Sequence, residues 1–276
     1  MGSASHSRRP PAPRTLWSSF PVRRGRQSGI VPVLALIAAV AAWWAVTALA
    51  VIDPLFLPSP LSVARVMGLH VQSGILWIYA WPTLSAALLG SLIALAVALP
   101  LAYIVAHSPM FATVIEPAIM LTQTVPLVAL APLIMLWIGN GTVPIAVLCA
   151  IIAFFPMATT AIVGLRSLDS PTIEHALLDG TTWWQRLWLV EAPMAAPAVL
   201  HGIRSGAVLS MTGAIVGEFV IGGSGLGTLL SLSRDSVNTA AVFAVVIWIA
   251  LMALAIHGGV LAVERAASRQ LQGAQS

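Results

Sequence analysis

The 276-residue chain contains no lysine; all thirteen of its basic residues are arginine. A Walker A loop ends in Gly-Lys-Ser/Thr and needs that lysine to hold phosphates, so an ATPase of the usual P-loop type is excluded. A Schiff-base lysine is excluded with it. Charge of either sign is scarce: 8% of residues are charged, against about 25% in an ordinary soluble domain. So few charges cannot solvate the surface of a chain that is 59% hydrophobic with mean hydropathy +0.95. The single Cys149 lies in an apolar run, which rules out an internal disulfide and argues against redox or zinc chemistry. The histidines (His6, His70, His107, His175, His201, His257) are scattered without an i, i+4 pair, so no metal site is expected. What is present instead is long hydrophobic runs, and these define a polytopic all-α membrane protein.

About 20 apolar residues cross a hydrocarbon core of roughly 30 Å. Six stretches qualify, at about 30–52, 82–106, 117–138, 143–165, 198–221 and 240–263. Several contain prolines (Pro100, Pro126, Pro132, Pro156), which membrane helices tolerate when neighbours satisfy the freed carbonyls. Residues 1–29 form a Ser-, Pro- and Arg-rich tail without apolar period, expected to be disordered and cytoplasmic. Residues 30–276 form the membrane domain. Six spans place both termini on one side. With the N-terminus inside, eleven arginines (Arg8, Arg9, Arg14, Arg23, Arg24, Arg26, Arg166, Arg186, Arg204, Arg265 and Arg269) lie inside; only Arg65 and Arg234 lie outside. The positive-inside rule therefore predicts cytoplasmic N- and C-termini. It also accounts for the net charge of +4 without nucleic acid.

The largest inside connection, 166–197, is long for a loop and short for a domain. Ser170 is expected to cap a short helix with Pro171 at its first position, running to about Asp179 and stopping at Gly180. A second short helix carries Trp184, Leu187 and Trp188 at i, i+3, i+4 as an apolar ridge. Trp183, Trp184 and Trp188 read as interfacial anchors. Two short helices bent about a glycine form a knob that fits a cleft on a partner.

This segment resembles the EAA loop of binding-protein-dependent ABC importer permeases: Glu-Ala-Ala, three residues, Gly, nine residues, then Ile-x-Leu-Pro. Glu174, Ala176, Gly180, Val190 and Pro193 fall at those positions; His175 and Ala192 depart from the pattern. The chain from about Phe56 to Ala266 is similar to the nitrate/sulfonate/taurine branch. That similarity is carried by Phe56-Leu57-Pro58-Ser59-Pro60, by Gln123-Thr124-Val125-Pro126 with Ala131-Pro132-Leu133, and by Gly217-Glu218-Phe219 with Gly223-Ser224-Gly225-Leu226-Gly227. The resemblance implies a type I importer permease fold with a core at about 80–265, in a bacterial inner membrane. It implies two cytoplasmic ATPase subunits, which bind the ATP and Mg, a second permease copy and an external solute-binding protein. The permease itself would then hold no cofactor and no catalytic residue. The substrate it suggests is a sulfonate, taurine or nitrate-like anion, with thiamine- or riboflavin-type precursors as the alternative.

Outside the loop, Gly202, Gly206, Gly213 and Gly217 form two Gly-xxx-Gly pairs suited to close helix approach. Glu218 is an ionisable group near the outer end of a span, suited to a dimer seam, a structural pair or the solute path. Gln123 and Thr124 suit an interhelical hydrogen bond or that same path. Three other classes compete. A channel needs a pore-lining repeat or charged ring, and an intramembrane enzyme needs paired carboxylates or a nucleophile–base pair; neither is visible. An ion-coupled carrier using Glu218 would leave the inside loop without a purpose.

Overall fold

A computed structural model describes residues 30–122 and 126–273, and every element among them is helical. In chain order these are α1 (Ile30–Ala48), α2 (Pro60–Gln72), α3 (Ile75–His107), α4 (Pro109–Thr122), α5 (Leu127–Ile138) and α6 (Thr142–Arg166). There follow α7 (Ser170–Leu178), α8 (Trp183–Arg186), a π-helical turn (Leu187–Glu191), α9 (Ala192–Ile221), α10 (Leu226–Asp235) and α11 (Thr239–Gly273). Five helical segments are long and apolar enough to cross a membrane: those based on α1, α3, α6, the run α8–α9, and α11.

The expected third span, 117–138, is not one helix. It is divided between α4 and α5, which are 14 and 12 residues long and each too short to cross alone. Pro126 lacks the N–H a continuing helix requires and disfavours helical backbone in the residue before it. Gln123 and Thr124 lie outside the described residues, as does the tail 1–29. Span ends also differ from expectation. The helix expected at 82 starts at Ile75, so Trp77, Tyr79 and Trp81 occupy its first turns rather than a loop. The fifth span begins not at 198 but at Ala192, and runs back without interruption through the π turn into α8. An additional helix, α10, follows the glycine-rich segment.

Helices in lipid gain little from burying apolar surface, so close backbone approach and interhelical hydrogen bonds hold them together. The centre of the chain is a trio, α3, α6 and α9, built on that rule. Gly202, Gly206, Gly213 and Gly217 share the face of α9 turned to α6. A methyl group added at Gly206 would lie 2.6 Å from Met157 Cε and 2.9 Å from the Ala153 carbonyl; at Gly213 it would lie 3.0 Å from the Cys149 Cα. On α3, Gly90 meets α6 even more closely: a methyl group there would lie 2.3 Å from Cys149 Cβ and 2.7 Å from the Ala146 carbonyl. Ala94, Ala98 and Ala102 continue that contact toward Ala153, Met157 and Ala161. Ser210 of α9 donates to the Ala87 carbonyl of α3 at 2.7 Å in a fully buried bond, closing the third side. In contrast α1 lies at the edge; Trp43 ties it to the rest through the Pro58 carbonyl (3.0 Å) and a stacked contact with Phe243.

Gly90→Val forces side-chain atoms into the α6 backbone, a strain of about 1–3 kcal/mol or more. Gly258→Val, at an open position on α11, meets nothing. Thermal unfolding of the purified permease is expected to show a lower midpoint for the first and no change for the second. Equal midpoints would refute the seam.

Candidate functional site

Among the described residues the densest set of local structural devices is the connection from α6 to α9. Asp169, not Ser170, occupies the cap position of α7, so Ser170 and Pro171 are its first two helical residues. Pro171 thus lies in the first turn, where its fixed φ suits the helix and its missing N–H has no helical acceptor. The helix ends at Leu178 and Gly180 is left-handed at φ +70°. The Gly180 N–H donates to the Leu177 carbonyl (3.1 Å) and the Thr181 N–H to the Ala176 carbonyl (3.3 Å). That pair of bonds is a Schellman stop, in which a Cβ at position 180 would be strained. Thr181 Oγ1 adds a second bond to the Ala176 carbonyl at 2.6 Å.

Two residues later a capping box restarts the helix. Thr182 Oγ1 accepts from the Gln185 N–H (3.4 Å) and Gln185 Oε1 accepts from the Thr182 N–H (2.9 Å). The π turn follows, with the Ala192 N–H bonded back to Leu187. Pro193 has no N–H for the Leu189 carbonyl, and widening by one residue is the local response. Glu174 and Leu178 are exposed, Leu178 at 84%, whereas Ala176 is buried at 8%. Val190 and Pro193 are half-buried at the start of α9. Trp183, Trp184 and Trp188 are exposed and form an edge-to-face chain with centroids 5.0 and 5.8 Å apart. The bend thus presents Glu174 and Leu178 outward, while α7 meets α8 and the π turn and Ala176 is buried within the bend.

Beneath the bend lies a residue that no sequence pattern singles out. Glu191, in the π turn, is 0% exposed. Its Oε1 accepts from Arg186 Nε at 2.8 Å and is 3.1 Å from Nε2 of His107, the last residue of α3. Its one sequence signal is an acid in an otherwise apolar run, five residues after an arginine. Its other partner is 84 positions away. Nearby, Arg166 pairs with Glu116 of α4 at 2.5 Å and donates to the Val105 carbonyl of α3. Arg204 pairs with Glu264 of α11 at 2.8 Å.

Glu218 stands apart from this end. It is 2% exposed, and its Oε2 accepts from the Gly227 N–H at 2.6 Å, at the start of α10. Thr83 Oγ1 accepts from the neighbouring Leu226 N–H at 2.8 Å. A Cβ on Gly225 would fall 1.9 Å from the Glu218 carboxylate, so the glycine is what lets the loop close over it. A carboxylate at the positive end of α10 satisfies donors that would otherwise be orphaned.

A helix trio held by glycine and alanine, a stretch divided between α4 and α5, and a doubly bent connection leading straight into a span define a polytopic helical membrane protein. Comparison with known proteins carries this to a family. Residues 98–269 match the model of the binding-protein-dependent transport system inner membrane component, and the chain belongs to that family, the permease subunits of ABC importers, in which a separate subunit is the ATPase. It is 38% identical over 215 residues to the riboflavin transport system permease protein RibX of Chloroflexus aurantiacus, covering 78% of this chain and 80% of that one. It is 30% identical over 228 residues to the taurine transport system permease protein TauC of Escherichia coli, covering 81% and 83%. The solved MetNI methionine ABC transporter, in an inward-facing form, shares the fold at TM-score 0.63 and 17% identity, over 70% of this chain and 98% of that one. The chain is accordingly a multi-pass inner-membrane permease of type I fold.

Removing the Glu218 cap tests its role in holding the loop. Glu218→Gln keeps an oxygen acceptor for Gly227, and amide exchange across 225–229 should stay slow. Glu218→Leu leaves buried donors unpaired at a cost of about 1–3 kcal/mol, and exchange there should accelerate. Unchanged exchange in the leucine variant would show that the cap is dispensable.

Proposed function

We propose that the connection at 174–193 is the coupling loop of this permease, seated in a groove of a cytoplasmic ATPase that drives alternating access. One observation carries this reading. Glu174, Ala176, Gly180, Val190 and Pro193 keep the spacing of the EAA pattern, and they form a bend stopped by Gly180 and joined rigidly to α9. Glu174 and the exposed Leu178 face the partner, Ala176 packs beneath, and Val190 and Pro193 lie at the root where α9 begins. A load on the bend therefore reaches a span that packs on α6 and α3. The distribution of arginines supports cytoplasmic termini and puts this loop on the ATPase side. The working assembly in this reading is two permease copies, two ATPases that bind ATP and Mg, and an external binding protein that delivers the solute. The glycines at 202, 206, 213 and 217 serve packing within the chain, and Glu218 serves the loop before α10. From the sequence alone, Gln123 and Thr124 are assigned to the solute path or the dimer seam.

For the substrate, we infer a riboflavin-type heterocycle ahead of a sulfonate or taurine. Similarity is higher to the riboflavin permease, at 38% against 30% for the taurine permease. Calorimetry on the cognate binding protein decides between them. Heat on adding riboflavin and none with taurine supports the inference; the opposite result reverses it.

Two variants test the coupling loop. Gly180→Val puts a β-branched side chain on left-handed backbone, straining the bend by about 1–2 kcal/mol. Glu174→Lys reverses a charge in the outward face. Both should insert normally and fail to copurify with the ATPase. Copurification at the wild-type level would remove the loop's coupling role.

A further inference from the structure

The cluster of Arg186, Glu191 and His107 joins the root of the coupling loop to the end of α3, a helix the loop does not otherwise continue into. Glu191 is wholly enclosed, and both cations converge on its Oε1, Arg186 Nε at 2.8 Å and His107 Nε2 at 3.1 Å. Glu191 Oε2 has no hydrogen-bond partner among the described residues, so these two contacts carry the compensation for a buried charge. His107 is constrained on its other side as well. Its Nδ1 lies 2.9 Å from the Tyr103 carbonyl, and its ring lies tilted against that of Tyr103 with centroids 4.2 Å apart. Both ring nitrogens therefore face acceptors. A neutral imidazole has one donor and one acceptor nitrogen, so it cannot satisfy both at once; an imidazolium can.

The charged groups around His107 are few and identified. From the loop these are Arg186 and Glu191. From its own helix there is the Tyr103 hydroxyl. At the same end of the bundle Arg166 is bound to Glu116 and to the Val105 carbonyl. Arg186 and His107 thus meet one carboxylate oxygen from two different elements, the loop and α3.

Resting on the coupling-loop reading above, we propose that Arg186, Glu191 and His107 form an ionic clasp that makes the loop and α3 move as one body. Glu191 is a positioning residue: it is buried away from any partner and acts through the two elements it joins. With the clasp intact, displacement of the bend by the ATPase is delivered to α3 directly as well as through α9. With the clasp broken, the bend still moves α9, but α3 follows only through helix packing.

The test measures spin-label distances between cysteines at Thr172 and Val97, exposed on α7 and on α3, in a Cys149→Ser background. The complete permease–ATPase complex is used in lipid vesicles, with labelled permease diluted into unlabelled so that most complexes carry one labelled copy. Distances are recorded without nucleotide and after trapping with ATP and vanadate. The wild-type should give one narrow distance that trapping does not change. Glu191→Gln should broaden the distribution about twofold and make it shift on trapping. His107→Leu, which removes only the α3 arm, should do the same, and it carries the test if Glu191→Gln does not insert. A variant distribution identical to wild-type overturns the clasp. Absence of the ATPase from the wild-type complex would count against the coupling-loop reading instead.

Discussion

Close approach of α6 and α9 is the constraint on which the rest of the structure depends. In a medium that offers helices little reason to associate, backbones come together only where side chains are small enough to let them. Here glycines on α9 and α3, and alanines along α3 and α6, provide a two-sided seam around α6. Larger residues at those positions would move α9 outward. The Ser210 bond to Ala87 would then be lost, and with it the third contact of the trio.

The position of α9 determines that of the bend, because no flexible linker separates them. The chain passes from the Schellman stop through two residues to a capping box, then a π turn, then thirty residues of span. Each device has a local chemical cause: left-handed backbone at Gly180, a Thr–Gln pair, and a proline that cannot donate. Together they join the connection from α6 to α9 without a break. At the other end of α9, Glu218 and Thr83 hold the start of α10 by its free N–H groups, so both ends of the span are secured by specific bonds.

Much of this is legible in the sequence, and the parts that are not share a reason. Spans are readable because charge is nearly absent from them. Gly180 is readable because a helix stop is local chemistry. The division between α4 and α5 is not, since hydropathy counts apolar residues and takes no account of the hydrogen bonds that Pro126 denies. The extension of α9 back into the loop is hidden because Trp183 to Glu191 mixes polar and apolar residues and so looks like a connection. Ser170 reads as the cap where Asp169 stands, a one-residue slip of the kind helix ends invite. Glu191 is inconspicuous because its meaning depends on His107, on another helix. Thr182 and Gln185, by contrast, carry a capping signature three residues apart that is there to be read.

The central claim is that the bend at 174–193 meets an ATPase, and contact is what should be measured. A photoreactive amino acid in place of Leu178, the most exposed large apolar residue of the bend, would be activated in native membranes and its adducts identified by mass spectrometry. The account predicts a cross-link to a polypeptide bearing a Gly-x-x-x-x-Gly-Lys-Ser/Thr loop. Cross-links to lipid alone, from a permease that is inserted and intact, would contradict it.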